Sequence, residues 1–329
     1  MISCLTKNIV RFFLGLLTCT TLALSTTVHG QSFPSKPIRI VVPFPPGAFN
    51  DTLGRTLAAE FNKGFAPGSV VENRPGAGTV IGTSEVLRAP PDGHTLLIVA
   101  FPFALINSIH PQSKIDVTRD FAAVSLVGAT SNLLVVNASS PFKSVKDLID
   151  AAKSNPGAVP YASPGNGSSN HLSMELFKMM AGVNLNHIPY KGSAPAITDL
   201  LGGQVNAMFD NTPNLLPHLK AGRLRALAVT SAERSSLVPE LPTMGEAGVP
   251  GYKMQVWFGV VAPAATPKDV IAKLNAEINR VLSTADVKER LTMAGVELIG
   301  GSPELFGAHI KEQVETWGKV VRQANIKAD

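Results

Sequence analysis

The chain alternates between short unbroken apolar runs and longer stretches in which apolar residues return every three or four positions. Ile38 to Val42 is a β-branched run closed by Pro43, and Thr95 to Ala100 is another. Runs of that length predict strands buried on both faces. Between them, Leu53, Leu57 and Phe61 recur at four-residue intervals, which predicts a helix with one apolar face. Val70-Val71 marks a short strand, and a second helix is expected over 83–89. Strand, glycine loop, helix and strand in alternation predict parallel α/β architecture.

The same pattern then restarts. Leu133 to Val136 reads as a strand, Ser144 to Asp147 has the shape of a capping box, and the helix it opens runs through Lys153. Val159 to Ala162 is a strand, and Leu172, Leu176 and Met179 mark the helix that follows. Further strands are expected over 186–190, 205–209 and 224–229, with a helix over 194–201 that stops at Gly202-Gly203. The C-terminal part predicts a strand over 258–262, a helix over 268–283 and a longer helix from Pro303. There Ser302 stands as N-cap, and Ile310, Val314, Trp317 and Val321 share one face. No short repeat is present; what recurs is the α/β unit, in two halves.

Composition changes this picture at the N-terminus. Lys7 and Arg11 precede the apolar run Phe12 to Leu17, which continues through small residues to Leu24, and Val28-His29-Gly30 offers a cleavage point before Gln31. That order predicts a secretory signal over 1–30 and export from the cytoplasm. The strongly apolar part is shorter than the roughly 20 residues of a membrane span. Both cysteines, Cys4 and Cys19, fall inside the signal, so the processed chain is expected to lack disulfides and thiol chemistry. Losing Lys7 and Arg11 lowers the formal net charge from +5 to +3. The remaining charges are interspersed, which argues against a nucleic-acid partner. The 329 residues, 45% of them hydrophobic, are enough for two domains.

Candidate chemistry lies in three loops that lead from strands into helices: Pro43 to Asp51, Gly76 to Gly82, and Ser163 to Asn170. In an open parallel sheet, ligands sit at the carboxyl ends of strands. Helix N-termini there present unpaired N–H groups and the positive end of the macrodipole, which suits an anion. Glycine permits close approach and proline stiffens the loop. Plain turn chemistry explains any one such loop equally well. Asp51 can stabilise its helix start, can offer an acceptor to a ligand, or both. Lys191 follows a strand and either faces an anion or is solvated; Asp210, at another strand end, is equally ambiguous.

Motifs for enzymes or cofactors fare worse. Gly165 to Asn170 begins like a dinucleotide fingerprint but has Asn170 where the third glycine belongs. No phosphate-loop, GxSxG or HExxH pattern occurs, and the seven histidines lack metal-ligand spacing. No cofactor is expected. The alternative reading is a secreted hydrolase or transferase using Ser168 and His171.

Several blocks together carry a family resemblance. They are Ile38 to Gly47 with Asp51 and Arg55, Val71 to Gly78, Pro91 to Leu96, Gly165 to Ser168 with His171-Leu172, and His187 to Gly192. Asp199 to Gln204, Met208 to Asp210, Leu224 to Thr230, Leu241 to Thr243 and Trp257 to Gly259 continue the series. In these the chain resembles the Bug-type receptors, the substrate-binding proteins of tripartite tricarboxylate transporters. The resemblance implies a two-lobed, type II-like periplasmic binding protein, each lobe a mostly parallel sheet flanked by helices, with the ligand cleft between. The lobes would be 31–130 plus 254–329, and 131–253. It further implies a monomeric receptor, not an enzyme, that binds a small carboxylate and serves a membrane permease.

Carried over by position, the ligand-binding residues are Phe44, Gly47, Ala48, Phe49 and Asp51 of the first loop and Gly78 of the second. Ser163, Gly165, Gly167 and Ser168 belong to the third, and Lys191, Gly192 and Asp210 lie at neighbouring strand ends. Departures from the family pattern are Ala48 after Gly47, the loop tip Phe49-Asn50, and Thr79 where a further glycine is common. They imply a bulkier cleft floor.

Overall fold

The computed structural model describes residues 33–326, so the segment read as a secretory signal, with Cys4 and Cys19, lies outside the described residues. β1 (Ile38–Val42) is followed by α1 (Phe49–Phe61), β2 (Ser69–Asn73), α2 (Val80–Leu87), β3 (Thr95–Ala100) and the short α3 (Ile106–Ile109). Next come β4 (Phe121–Asn137), α4 (Val145–Ser154), β5 (Pro160–Ser163), α5 (Ser169–Ala181), β6 (Asn186–Pro189) and α6 (Ser193–Leu201). β7 (Ala207–Asn211), α7 (Thr212–Lys220) and β8 (Leu224–Val229) lead to β9 (Gln255–Pro263), α8 (Lys268–Ser283), α9 (Ala285–Met293), β10 (Glu297–Leu298) and α10 (Pro303–Gln323).

The strands join in the order β2-β1-β3-β9-β4-β7-β5-β6, with β8 and β10 also paired to β4. β1 runs parallel to β2 and β3, and β5 runs parallel to β6 and β7, as the βαβ pattern predicts. β9 and β4 add antiparallel pairs between these groups, so the sheet is mixed rather than mostly parallel. The reason lies in β4, which sequence reading limited to 133–136. It spans 17 residues and pairs with β9 through Ser131 and with β7 from Asn132 onward.

This register fixes where a ligand can sit. Phe258 of β9 lies opposite Ala100, at the carboxyl end of β3, and Gln255 of β9 lies opposite Ser131. On the other side Asn132 lies opposite Asn211, at the carboxyl end of β7. The carboxyl ends of both parallel groups therefore converge on the middle of β4.

Local chemistry supports the helices near that point. Ser144 Oγ accepts from Asp147 N–H and the Asp147 carboxylate accepts from Ser144 N–H, a complete capping box at α4. Ser302 caps α10, with Pro303 in its first turn. α10 packs on β4, α3 and α5, and its buried Trp317 meets Phe101 edge-on at 5.0 Å. Burying such a side chain contributes roughly 2–3 kcal/mol, so α10 fastens elements from both halves.

Candidate functional site

The first loop is braced from within. α1 begins after Ala48, which occupies the N-cap with extended backbone and offers no side-chain cap. Asp51, in the first turn, supplies the missing acceptor. Its Oδ2 accepts from Gly47 N–H and from Arg55 Nε, both at 3.0 Å, and its Oδ1 accepts from Asn73 Nδ2 at 2.9 Å. Asn73 pairs with Val42 at the end of β2, so its amide also reaches the Phe44 carbonyl at 3.1 Å. Burial works against the charge of Asp51, which is 4% exposed. The donors Arg55, Gly47 and Asn73 outweigh it and hold the carboxyl below its ordinary range. Both carboxylate oxygens thus serve the loop itself. The Phe49 ring meets that of Phe258 of β9 at 4.5 Å, tilted.

The second glycine loop comes close to the first. A Cβ at Gly82 would lie 2.8 Å from Pro43 Cβ and 2.9 Å from the Arg74 carbonyl, so glycine permits that approach. Gly78 has φ 58° and is exposed, with the His110 ring where its Cβ would point.

The third loop, between β5 and α5, is ordered by side chains beneath it. Ser163 is fully buried; its Oγ accepts from Gly165 N–H at 3.2 Å and lies 2.6 Å from His187 Nε2. Ser168 is the N-cap of α5: its Oγ accepts from His171 N–H and donates to the Gly165 carbonyl at 2.8 Å. Gly167 N–H donates to His171 Nδ1 at 3.1 Å. Beneath, the rings of His171 and His187 stack at 4.0 Å, and His187 stacks on Tyr161 at 4.8 Å. Tyr161 Oη donates to Glu175, which also receives Lys178.

Burial keeps both imidazoles neutral. It lowers His171 against the opposing pull of Glu175, and with the neighbouring His171 it pushes His187 down to about 4. Ser168 and His171 therefore form a cap and a loop anchor; Ser168 Oγ bonds the His171 backbone and not its ring, so a serine–histidine catalytic pair is absent from these residues.

The remaining strand ends differ from one another. Gly192, φ 109°, stands as N-cap of α6 and its N–H donates to the Pro164 carbonyl, which ties this turn to the third loop. Lys191 is exposed and has no ion pair among the described residues. Asp210 is fully buried inside β7 rather than after it. Its Oδ1 accepts from Asn211 N–H at 2.6 Å and Asn214 Nδ2 at 3.0 Å, while Oδ2 has no partner among the described residues. Burial pushes this carboxyl up, and donors including Ser193 and Asn214 pull it back in part.

Sequence reading missed the middle of β4. Thr130, Ser131 and Asn132 are buried there, each with an unpaired side-chain oxygen among the described residues. Three successive polar residues before the run Leu133 to Val136 were the available signal. Asn73 and His187 were missed too, because their roles depend on neighbours from other elements. Among the described residues, no group of three or more His, Cys, Asp or Glu could hold a metal ion. No described helix is long and apolar enough to cross a membrane.

Comparison with known proteins places this geometry. Protein BugT of Bordetella pertussis is 38% identical over 309 residues, covering 93% of this chain and 95% of its own. The solved structure of R. palustris Rpa4515 with adipate aligns with a TM-score of 0.72 at 38% identity, covering 89% of this chain and 99% of that one. MatC from Rhodopseudomonas palustris with bound malate gives 0.70 at 32% identity, covering 88% and 100%. The fold is that of a two-lobed periplasmic binding protein, and these relatives are solute receptors rather than enzymes. The model of the tripartite tricarboxylate transporter family receptor matches residues 53–326, almost the whole span from α1 to the end of α10, and to that family this chain belongs.

Proposed function

We propose that this receptor captures a small carboxylate between its lobes and delivers it to the permease of a tripartite tricarboxylate-type transporter. One observation carries the reading. The strand ends that converge on mid-β4 lead into helices with first-turn N–H groups that have no protein acceptor. Among the described residues, these include Phe49 and Asn50 of α1, and Ser193 and Ala194 of α6. Helix N-termini with stiff, glycine-containing approaches favour an anion, and clustered cationic side chains are not needed. The adipate and malate in the two solved relatives support the same class.

On this reading Phe49, Gly78, Ser168, Gly192 and Asp210 border the ligand, and Lys191 adds a mobile positive charge at the rim. Gly47, Gly165 and Gly167 spend their own N–H groups on the loops. Asp51 and Ser163 shape those loops, while Phe44 and Ala48 belong to the first. The lobes divide at the β4 midpoint, 31–130 plus 254–329 against 131–253, and close on the ligand. The chain works as a periplasmic monomer after export through its N-terminal signal.

The test is calorimetry with adipate, malate, a monocarboxylate and a neutral sugar. Saturable binding of at least one carboxylate and none of the sugar is expected. Binding of the sugar with no carboxylate bound would overturn the assignment.

A further inference from the structure

Three features converge beneath the third loop. His171 Nδ1 accepts the Gly167 N–H, His187 Nε2 meets Ser163 Oγ, and the two rings stack in near-parallel planes 9° apart. The rings occupy different elements, α5 and β6, and the hydrogen bonds tie both to one loop. An imidazole that accepts at Nδ1 must carry its proton at Nε2, which points toward Glu175 at 3.7 Å. We propose that His171, supported by His187, is a positioning residue that orients the 163–168 ligand loop only as a neutral imidazole, so that acid releases the loop. This rests on the carboxylate-receptor reading for its consequence in binding, but the loop geometry stands apart from it.

The physical step is local. A proton added at Nδ1 of His171 turns the acceptor into a donor facing the Gly167 N–H, and the hydrogen bond is lost. The groups facing His171 are Glu175 and Lys178 from its own helix, His187 from β6 and Tyr161 from β5. Glu175 favours the added charge, Lys178 opposes it, and Tyr161 binds Glu175 and so competes for it. Protonating His187 instead leaves a donor toward Ser163 Oγ but sets a charge against the stacked ring. The loop therefore loosens through His171.

The test compares wild type with His171→Asn and His171→Phe. Asparagine places an acceptor near the Nδ1 position without titrating near neutral pH; phenylalanine retains a stacking ring without an acceptor. Amide exchange at Gly167 is read by NMR in the ligand-free protein and corrected for intrinsic rate. At pH 7, protection should fall about tenfold in His171→Phe and persist in His171→Asn. From pH 7 to 4 it should fall in wild type and stay level in His171→Asn. Adipate affinity, measured in parallel, should follow the same order. Equal Gly167 protection in wild type and His171→Phe, both folded by circular dichroism, would overturn the proposal. So would a wild-type loop whose protection ignores pH. If wild type binds none of the carboxylates tested, the ligand class fails while the exchange data still decide the role of His171.

Discussion

Asp51→Asn isolates the brace of the first loop. The substitution keeps size and shape and replaces one acceptor by an NH2 group. If that group takes the Oδ2 position, it faces Gly47 N–H and Arg55 Nε; if it takes Oδ1, it faces Asn73 Nδ2. Either way a buried donor loses its charged acceptor, at a cost of about 1.5–3 kcal/mol. The Arg55 side chain is 56% exposed, so its ion pair adds at most about 0.5 kcal/mol. We expect a loss of about 2–3 kcal/mol, or roughly 3–5 °C in Tm for a protein of this size. Affinity for whichever carboxylate the calorimetric screen identifies should fall as well, because Gly47 loses its acceptor and the Asn73 amide that holds Phe44 loses its own. Differential scanning calorimetry and titration on the same preparations separate the causes. An unchanged Tm with weakened binding would refute the brace and make Asp51 a direct ligand contact; unchanged affinity with lowered Tm would confine it to the fold. The Asp51 carboxyl is depressed in the folded state. Its contribution is full above about pH 4 and disappears as pH falls through the lower folded value.

Four further outcomes follow from the structure. Gly259→Ala places a methyl group in the ring of Phe306, which is fully buried beside Trp257, and should cost about 1–3 kcal/mol or more in thermal unfolding. Ser144→Ala removes the α4 cap and should cost about 1 kcal/mol in thermal unfolding. His171 and His187 are depressed imidazoles, so the unfolded chain binds protons first. Stability should be level above about pH 6.5 and fall by up to about 3 kcal/mol toward pH 4, as read by urea midpoints. Saturating ligand should shrink the radius of gyration in small-angle scattering as the lobes close, and identical profiles would count against closure.

Elements whose burial is decided locally were legible in the sequence. β1 and β3 are unbroken apolar runs, α10 carries both a cap and a stripe, and the glycine-proline loops announce strand-to-helix turns. β4 was legible only over its last third. Its first part contains Ala122, Ala123 and Gly128, residues of low strand propensity held in the strand by pairing with β9. Gly128 is needed where Glu297 of β10 crosses, a constraint written far along the chain. α7 was missed because Pro213 and Pro217 break its pattern, although Pro213 sits in its first turn. In the site, loop positions were readable from glycine and proline. What fixes them was not, since Asn73 and His187 reach their loops across strand pairs, and single-residue spacing carries no trace of such contacts.

The length of β4 has a consequence for anyone who would take this receptor apart. Its 17 residues extend about 56 Å, and its two ends belong to different halves of the sheet. A cut or graft near Ser131 does not sever a linker; it breaks a ladder in which β7 and β8 hang from one end and β9 and β10 from the other. The second half cut at Ser131 keeps the rungs from Asn132 to Asn137 that hold β7 and β8, but loses the continuation of that strand. A chimera that exchanges halves between receptors must carry the strand across whole. Flexing between the halves must likewise be spread as twist along a continuous backbone. A reporter engineered into this scaffold should therefore sense torsion of β4, not the swing of a free hinge.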